Sequence, residues 1–243
     1  MAESKIPKRI ASVVINSLKG GVVPRVGLSY ITVGRKSEID ALLADVDMVN
    51  EGGASFRFIE GRYGSGKSFL LQAFRNFVID RGYVVMDADL SPERKLHGGN
   101  GYGLATYREL IANMSTKTRP EGGSLTMVLD RWLRSVEAEC EKAGAPRGSP
   151  EFAKQYRTVI GQQLSPLNDM VRGVDFVRII TAYAAASLEE DEERKAMVVK
   201  WLRAEYSTRT ESKKELGVNL IITDDDWYEY LKLFAVLVHS MGY

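Results

Sequence analysis

Cysteine is almost missing from these 243 residues: Cys140 is the only one. No intramolecular disulfide can form, and a cysteine-based zinc site is excluded. Histidine is nearly as scarce, with His97 and His239 alone, which is too few for a dedicated transition-metal site. Neither sign of charge is in excess. Thirty-three Lys and Arg face 32 Asp and Glu, a net charge of +1. That balance points neither to bulk nucleic-acid binding nor to an acidic tail. No apolar run approaches the ~20 residues that span a bilayer. The first residues, 1–9, are polar and lack the apolar stretch of a signal peptide. Internal repeats and low-complexity tracts are also missing. The expectation is a cytoplasmic protein with no membrane partner, long enough for one sizeable α/β domain or a core plus a helical subdomain.

Helical periodicity is present in several places. Ile10, Val13, Val14 and Leu18 form a short amphipathic pattern that Gly20 and Gly21 end. Residues 22–33 read as an extended arm. A second helix is expected from Ser37 as N-cap through Ile39, Leu42, Leu43, Val46 and Val49, stopping at Gly52 and Gly53. Residues 54–60 alternate, with Phe56 and Phe58 apolar, and predict a strand. A glycine-rich turn, a helix over 67–81 and a second apolar strand over 83–90 complete one βαβ unit. Beyond a Gly-containing loop at 91–103 the pattern becomes mainly helical: 104–113, 125–142, 151–164, 169–188, 190–205 and 227–240. The segment 207–217 is polar, open to a short helix or a loop, and 218–222 is β-compatible. The predicted fold class is α/β, with an incomplete parallel-sheet core and a large helical portion. The predicted organisation is an N-terminal helical arm at 1–53, a nucleotide-binding core at 54–110 and a helical region at 111–243.

Within that core, Gly61-Arg62-Tyr63-Gly64-Ser65-Gly66-Lys67-Ser68 fits G-x-x-x-x-G-K-[ST] at every defined position. The glycines let the backbone curl so that its N–H groups face one anion. The following helix points its positive end at the same anion. Lys67 can reach the β- and γ-phosphates of ATP, and the Ser68 hydroxyl is placed to ligate Mg²⁺. The bland alternative is a glycine turn beside a solvated lysine. The predicted strand before and helix after the motif favour the phosphate reading. The candidate nucleotide-binding set is Gly61, Tyr63, Gly64, Ser65, Gly66, Lys67, Ser68 and Phe69. Small-molecule kinases share such a loop, but no basic lid or acceptor-binding constellation is visible.

Hydrolysis needs more than the loop: an acid at a strand end to direct Mg²⁺ and a group to position water. Lys67 and Asp89 are the catalytic candidates, Asp89 because it ends the 83–90 segment together with Asp87. Both acids could equally just solvate that end. Asp224, Asp225 and Asp226 follow an apolar run but precede the stripe Trp227, Tyr230, Leu231 and Phe234, so capping a helix is the competing role. His97 and Glu93 sit in the 91–103 loop, where a surface role competes with a touch on phosphate. Arg203 and Arg209 could serve a neighbouring subunit's phosphate or simply cover surface. Lys5, Lys8, Arg9, Lys19 and Arg25 make a basic N-terminus without interleaved aromatics.

Several segments, in order, resemble the BrxD-like ATPases of bacteriophage-exclusion (BREX) defence loci. They are Val22-Val23-Pro24-Arg25-Val26-Gly27-Leu28, Val33-Gly34-Arg35, Glu38-Ile39 and Tyr63-Gly64-Ser65-Gly66-Lys67, followed by Leu90-Ser91-Pro92-Glu93 with Leu96-His97-Gly98 and by Tyr107-Arg108-Glu109-Leu110. Trp201-Leu202-Arg203 with Glu205-Tyr206, and Leu216-Gly217-Val218, continue the likeness over nearly the whole chain. The resemblance implies an AAA+-like ATPase core, ATP with Mg²⁺, and partners among DNA, other defence proteins or further copies of the chain. It implies that the 22–33 arm lies near the adenine base. It also implies that the strand bearing the Mg²⁺-directing acids follows Tyr243, so that the chain is an N-terminal part.

Overall fold

Eleven α-helices carry the described residues of the computed structural model, which are 6–24 and 26–242. They are α1 (Lys8–Lys19), α2 (Leu28–Ile31), α3 (Lys36–Asn50), α4 (Lys67–Asp80), α5 (Tyr102–Ala112), α6 (Leu125–Lys142), α7 (Phe152–Leu164), α8 (Gly173–Leu188), α9 (Glu192–Leu202), α10 (Arg209–Leu216) and α11 (Trp227–Ser240). A 3₁₀ turn, Ser165–Asp169, links α7 to α8. The chain divides into two compact units, Met1–Tyr83 and Val84–Tyr243.

The first unit has a small core. Leu28 of α2, Ile39 and Leu42 of α3, and Leu70 and Ala73 of α4 are its buried residues, with Ile31, Leu43, Ile59, Phe69, Phe74 and Phe77 packed around them. The expected N-cap Ser37 is not the cap. Helix α3 starts at Lys36, Arg35 takes the N-cap position two residues before Ser37, and Ser37 Oγ donates to Glu38 Oε2 at 2.8 Å. Residues 54–60 run alongside this core without forming a strand. Arg57 ties the segment to α3 through both carboxylate oxygens of Asp45.

The predicted parallel α/β sheet is therefore corrected. Among the described residues there is no strand, and β-structure is confined to three isolated antiparallel bridges, Val85–Ser115, Ser91–Arg94 and Thr116–Arg119. Segments 54–60, 83–90 and 218–222 all read as β-compatible, yet none is a strand. The physical reason is that alternation describes one strand, whereas a sheet needs a second to satisfy its ladder and bury its faces. Phe56 and Phe58 meet edge to face at a centroid distance of 4.9 Å, yet remain 81% and 89% exposed.

The second unit is an all-helical assembly around a large apolar core. Helix α6 shows why it folds: Leu125, Val128, Leu129, Trp132, Leu133, Val136 and Cys140 recur at helical spacing and are all buried. Helix α8 buries Phe176, Ile179, Ile180, Tyr183, Ala184 and Ala186. Its aromatics meet those of α11, with Phe176 and Phe234 rings 5.2 Å apart, while Trp201 of α9 meets Tyr230 of α11 at 5.3 Å. The polar stretch at 207–217 resolves as α10, opened by the Thr208 hydroxyl accepting from Glu211 N at 3.1 Å and closed by Gly217 at φ 71°.

Candidate functional site

The glycine-rich loop 61–68 lies in the first unit, at the start of α4. Arg62 O accepts from Ser65 N at 3.1 Å, closing a turn that carries Tyr63 and Gly64. Gly64 (φ 76°) and Gly66 (φ 87°) adopt the left-handed conformation that a side chain resists. A Cβ on Gly61 would stand 2.5 Å from Ser65 Oγ, so the hydroxyl would have to turn away. Gly66 is the N-cap of α4, with no side chain capping it, and the first helical bond runs from Leu70 N to Gly66 O at 2.9 Å. The N–H groups of Lys67, Ser68 and Phe69 therefore have no intrahelical acceptor. With the helix dipole behind them they make a local positive pole.

Lys67 Nζ folds back onto this loop and donates to the carbonyls of Gly61 at 2.7 Å and Arg62 at 3.0 Å. Neutral carbonyls are weak partners for an ammonium compared with an ionised phosphate. Ser68 and Tyr63 are exposed, Tyr63 fully so. The Phe69 ring packs on the unit's core, so only its backbone N–H is available to a phosphate. The loop residues of the candidate set, Gly61 through Phe69, are thus brought together, and their donors and glycine turns suit a polyphosphate. One residue without a role in the sequence pattern joins them. Arg35 Nη2 donates to Ser65 O at 2.5 Å, across 30 residues of sequence.

The acidic candidates belong to the second unit. Asp87 and Asp89 are exposed, and their backbone carbonyls accept from Asn113 Nδ2 at 3.0 Å and Arg94 Nε at 2.9 Å. Glu93 Oε2 accepts from Ser91 Oγ at 2.9 Å, and His97 is exposed in the following loop. Asp226 accepts from Thr223 N at 2.7 Å and Thr223 Oγ1 at 2.8 Å, and faces Arg172 Nε at 3.3 Å. Arg203 and Glu205 border two surface depressions, one of about 450 Å³ with Asp130, Tyr183 and Lys195, the other of about 650 Å³ with Arg94 and Arg108. Lys8, Arg9 and Lys19 belong to α1, whereas Lys5 and Arg25 of the basic set lie outside the described residues. No group of three metal-ligating side chains occurs among the described residues. None of their helices is long and apolar enough to cross a membrane.

Asp224 has a role that its neighbourhood in sequence conceals. It caps α5, not α11. Its Oδ1 accepts from Leu104 N at 2.9 Å, and its Oδ2 accepts from Gly101 N at 3.2 Å and from Gly99 N. The glycines of this loop permit the close approach: a Cβ on Gly103 would stand 2.2 Å from Trp227 Nε1, and one on Gly98 2.8 Å from Asp224 O. Partial burial of Asp224 works against its charged form, but the N–H groups of Leu104, Gly99, Gly101 and Gly103 outweigh it and hold the carboxyl below its ordinary value of 3.8. A depressed carboxyl stabilises the fold fully above its unfolded value and loses that contribution as pH falls through the folded one. Asp224→Ala is expected to cost about 1–3 kcal/mol at neutral pH. In urea unfolding followed by circular dichroism, the gap from wild type should close below the ordinary carboxylate range.

The family model described as BREX system ATP-binding protein BrxC/D matches residues 6–243. The chain belongs to this family of BREX system ATP-binding proteins, as the segments spread over residues 22–218 indicate. No curated protein and no solved structure matches it.

Proposed function

We propose that the chain holds ATP with Mg²⁺ on residues 61–69, and that ATP binding or hydrolysis there drives remodelling or assembly of a phage-defence complex on DNA or protein. The observation that carries this reading is the start of α4, where free N–H groups, two left-handed glycines and the Lys67 ammonium converge. Phosphate oxygens would replace the Gly61 and Arg62 carbonyls as acceptors for Lys67. The N–H groups of Gly66, Lys67, Ser68 and Phe69 would bind the same anion, and Ser68 Oγ would ligate the cation. Mg²⁺ would supply charge neutralisation across the phosphates.

A second reading is a nucleotide-binding regulatory module that does not hydrolyse. The structural commitments of Asp224 to α5 and of Asp226 to Thr223 and Arg172 favour it, because they remove two acids from candidacy. Steady-state ATP turnover with and without Mg²⁺ separates the two. Mg²⁺-dependent turnover that falls to background in Lys67→Ala supports the ATPase, and selective loss in Asp89→Asn assigns the acid. ATP binding without turnover supports the module. Failure of the wild-type chain to bind ATP would sink both.

A further inference from the structure

Arg35 occupies an unusual place for a residue outside the phosphate loop. It precedes α3, and its guanidinium makes two bonds in different directions. Nη2 donates to Ser65 O at 2.5 Å, and Nη1 donates to Glu38 Oε1 at 2.8 Å. Ser37 Oγ secures the other Glu38 oxygen at 2.8 Å. Nη2 also stands 3.3 Å from the point where a Cβ on Gly66 would lie, so the guanidinium abuts the turn from which α4 begins. The peptide joining Ser65 to Gly66 is planar and trans. Holding its carbonyl fixes the Gly66 N–H, which points from the opposite edge of that plane.

We propose that Arg35 is a positioning residue of the nucleotide site: braced by Glu38, it grips the Ser65 carbonyl and so presets the Gly66 N–H for phosphate. This rests on the reading of residues 61–69 as that site. An arginine fits the task because its planar fork serves two acceptors at fixed angles, which a lysine ammonium does not. The brace stays ionised at neutral pH. Hydrogen bonds from Arg35, then from Ser37, lower the Glu38 carboxyl to about 2. Because Glu38 balances the charge of Arg35, removing both leaves the local net charge unchanged. That separates positioning from plain attraction between a cation and phosphate.

The test is calorimetric titration of Mg-ATP into wild type, Lys67→Ala, Arg35→Gln, Arg35→Lys, Glu38→Gln and the double variant Arg35→Gln/Glu38→Gln, with melting temperatures recorded for each. Arg35→Gln should weaken ATP binding about 10-fold or more, the scale of one charge-assisted hydrogen bond. Arg35→Lys should recover part of the loss, and the double variant should bind as weakly as Arg35→Gln. Amide exchange of Gly66 in the unliganded protein should quicken in Arg35→Gln. Wild-type affinity in Arg35→Gln, beside a loss in Lys67→Ala, would overturn the clamp and leave the site standing. Recovery of wild-type affinity in the double variant would overturn it too, since charge alone would then suffice. Should Arg35→Gln not fold, wild-type affinity in both Arg35→Lys and Glu38→Gln has the same force. Equal ATP binding by wild type and Lys67→Ala would overturn site and clamp together.

Discussion

Gly173→Ala is expected to destabilise the second unit by about 3 kcal/mol or more, at the upper end of what overpacking costs. Gly173 is the first residue of α8, and a Cβ there would stand 1.8 Å from Leu167 O, 2.8 Å from Leu167 C and 3.2 Å from Asn168 Cα. All three are backbone atoms, so no side-chain rotation relieves the clash. The turn is already tight. Leu167 O accepts from Met170 N at 3.1 Å, Met170 O accepts from Gly173 N at 2.8 Å, and Arg172 between them is left-handed at φ 63°. Relief requires moving the 3₁₀ turn away from α8, which would disturb Leu167 and Phe176 in the core. Thermal unfolding should register a fall of about 6–12 °C for a unit of this size. Gly161→Ala is the internal control. That glycine lies inside α7 with nothing near its Cβ position, so alanine should stabilise by about 0.5–1 kcal/mol. Equal melting of Gly173→Ala and wild type would refute the packing argument.

Helices were the legible part of this fold because their signal is local. The apolar positions of α6 and α11 repeat at helical spacing, and of the α11 stripe Trp227, Tyr230 and Phe234 are buried while Leu231 is partly so. Sheet formation is a different kind of fact. The alternation at 54–60 is real, but whether Phe56 and Phe58 are covered depends on groups far away in sequence, and here they stay exposed. Tyr83 and the apolar residues after it read as a second strand. In the structure the division between the units falls between Tyr83 and Val84, and Val84 and Met86 pack on the helical core of the second unit.

Within the site, the loop was readable because its glycines, lysine and serine are adjacent in sequence. Three further relationships were not, because they join distant residues. Arg35 reaches Ser65 across 30 residues, although its i,i+3 spacing from Glu38 does predict their pairing. Asp224 sits two residues before an N-cap position and suggests a cap for α11, yet it serves α5 across 120 residues. The glycines at 98–103 read in sequence only as part of the Gly-containing 91–103 loop. Gly98 and Gly103 are there because the Asp224 backbone and Trp227 come too close for side chains, and Gly99 and Gly101 because the backbone turns left-handed at φ 108° and 80°.

Lys67→Ala is expected to lower affinity for Mg-ATP at least ~100-fold, since an ammonium shared by two phosphates contributes more than one charge-assisted bond. The fold should not suffer. Lys67 Nζ donates to the Gly61 and Arg62 carbonyls on an exposed loop, and those can turn to water. This separation of binding from folding makes the substitution decisive. The most direct measurement is isothermal titration of Mg-ATP into both proteins at matched concentration, with circular dichroism to verify equal helicity. Residues 61–69 as the ATP site predict a saturable one-site heat for wild type and none for Lys67→Ala under the same conditions. Equal affinity in the two proteins would place ATP elsewhere on the chain and contradict the account.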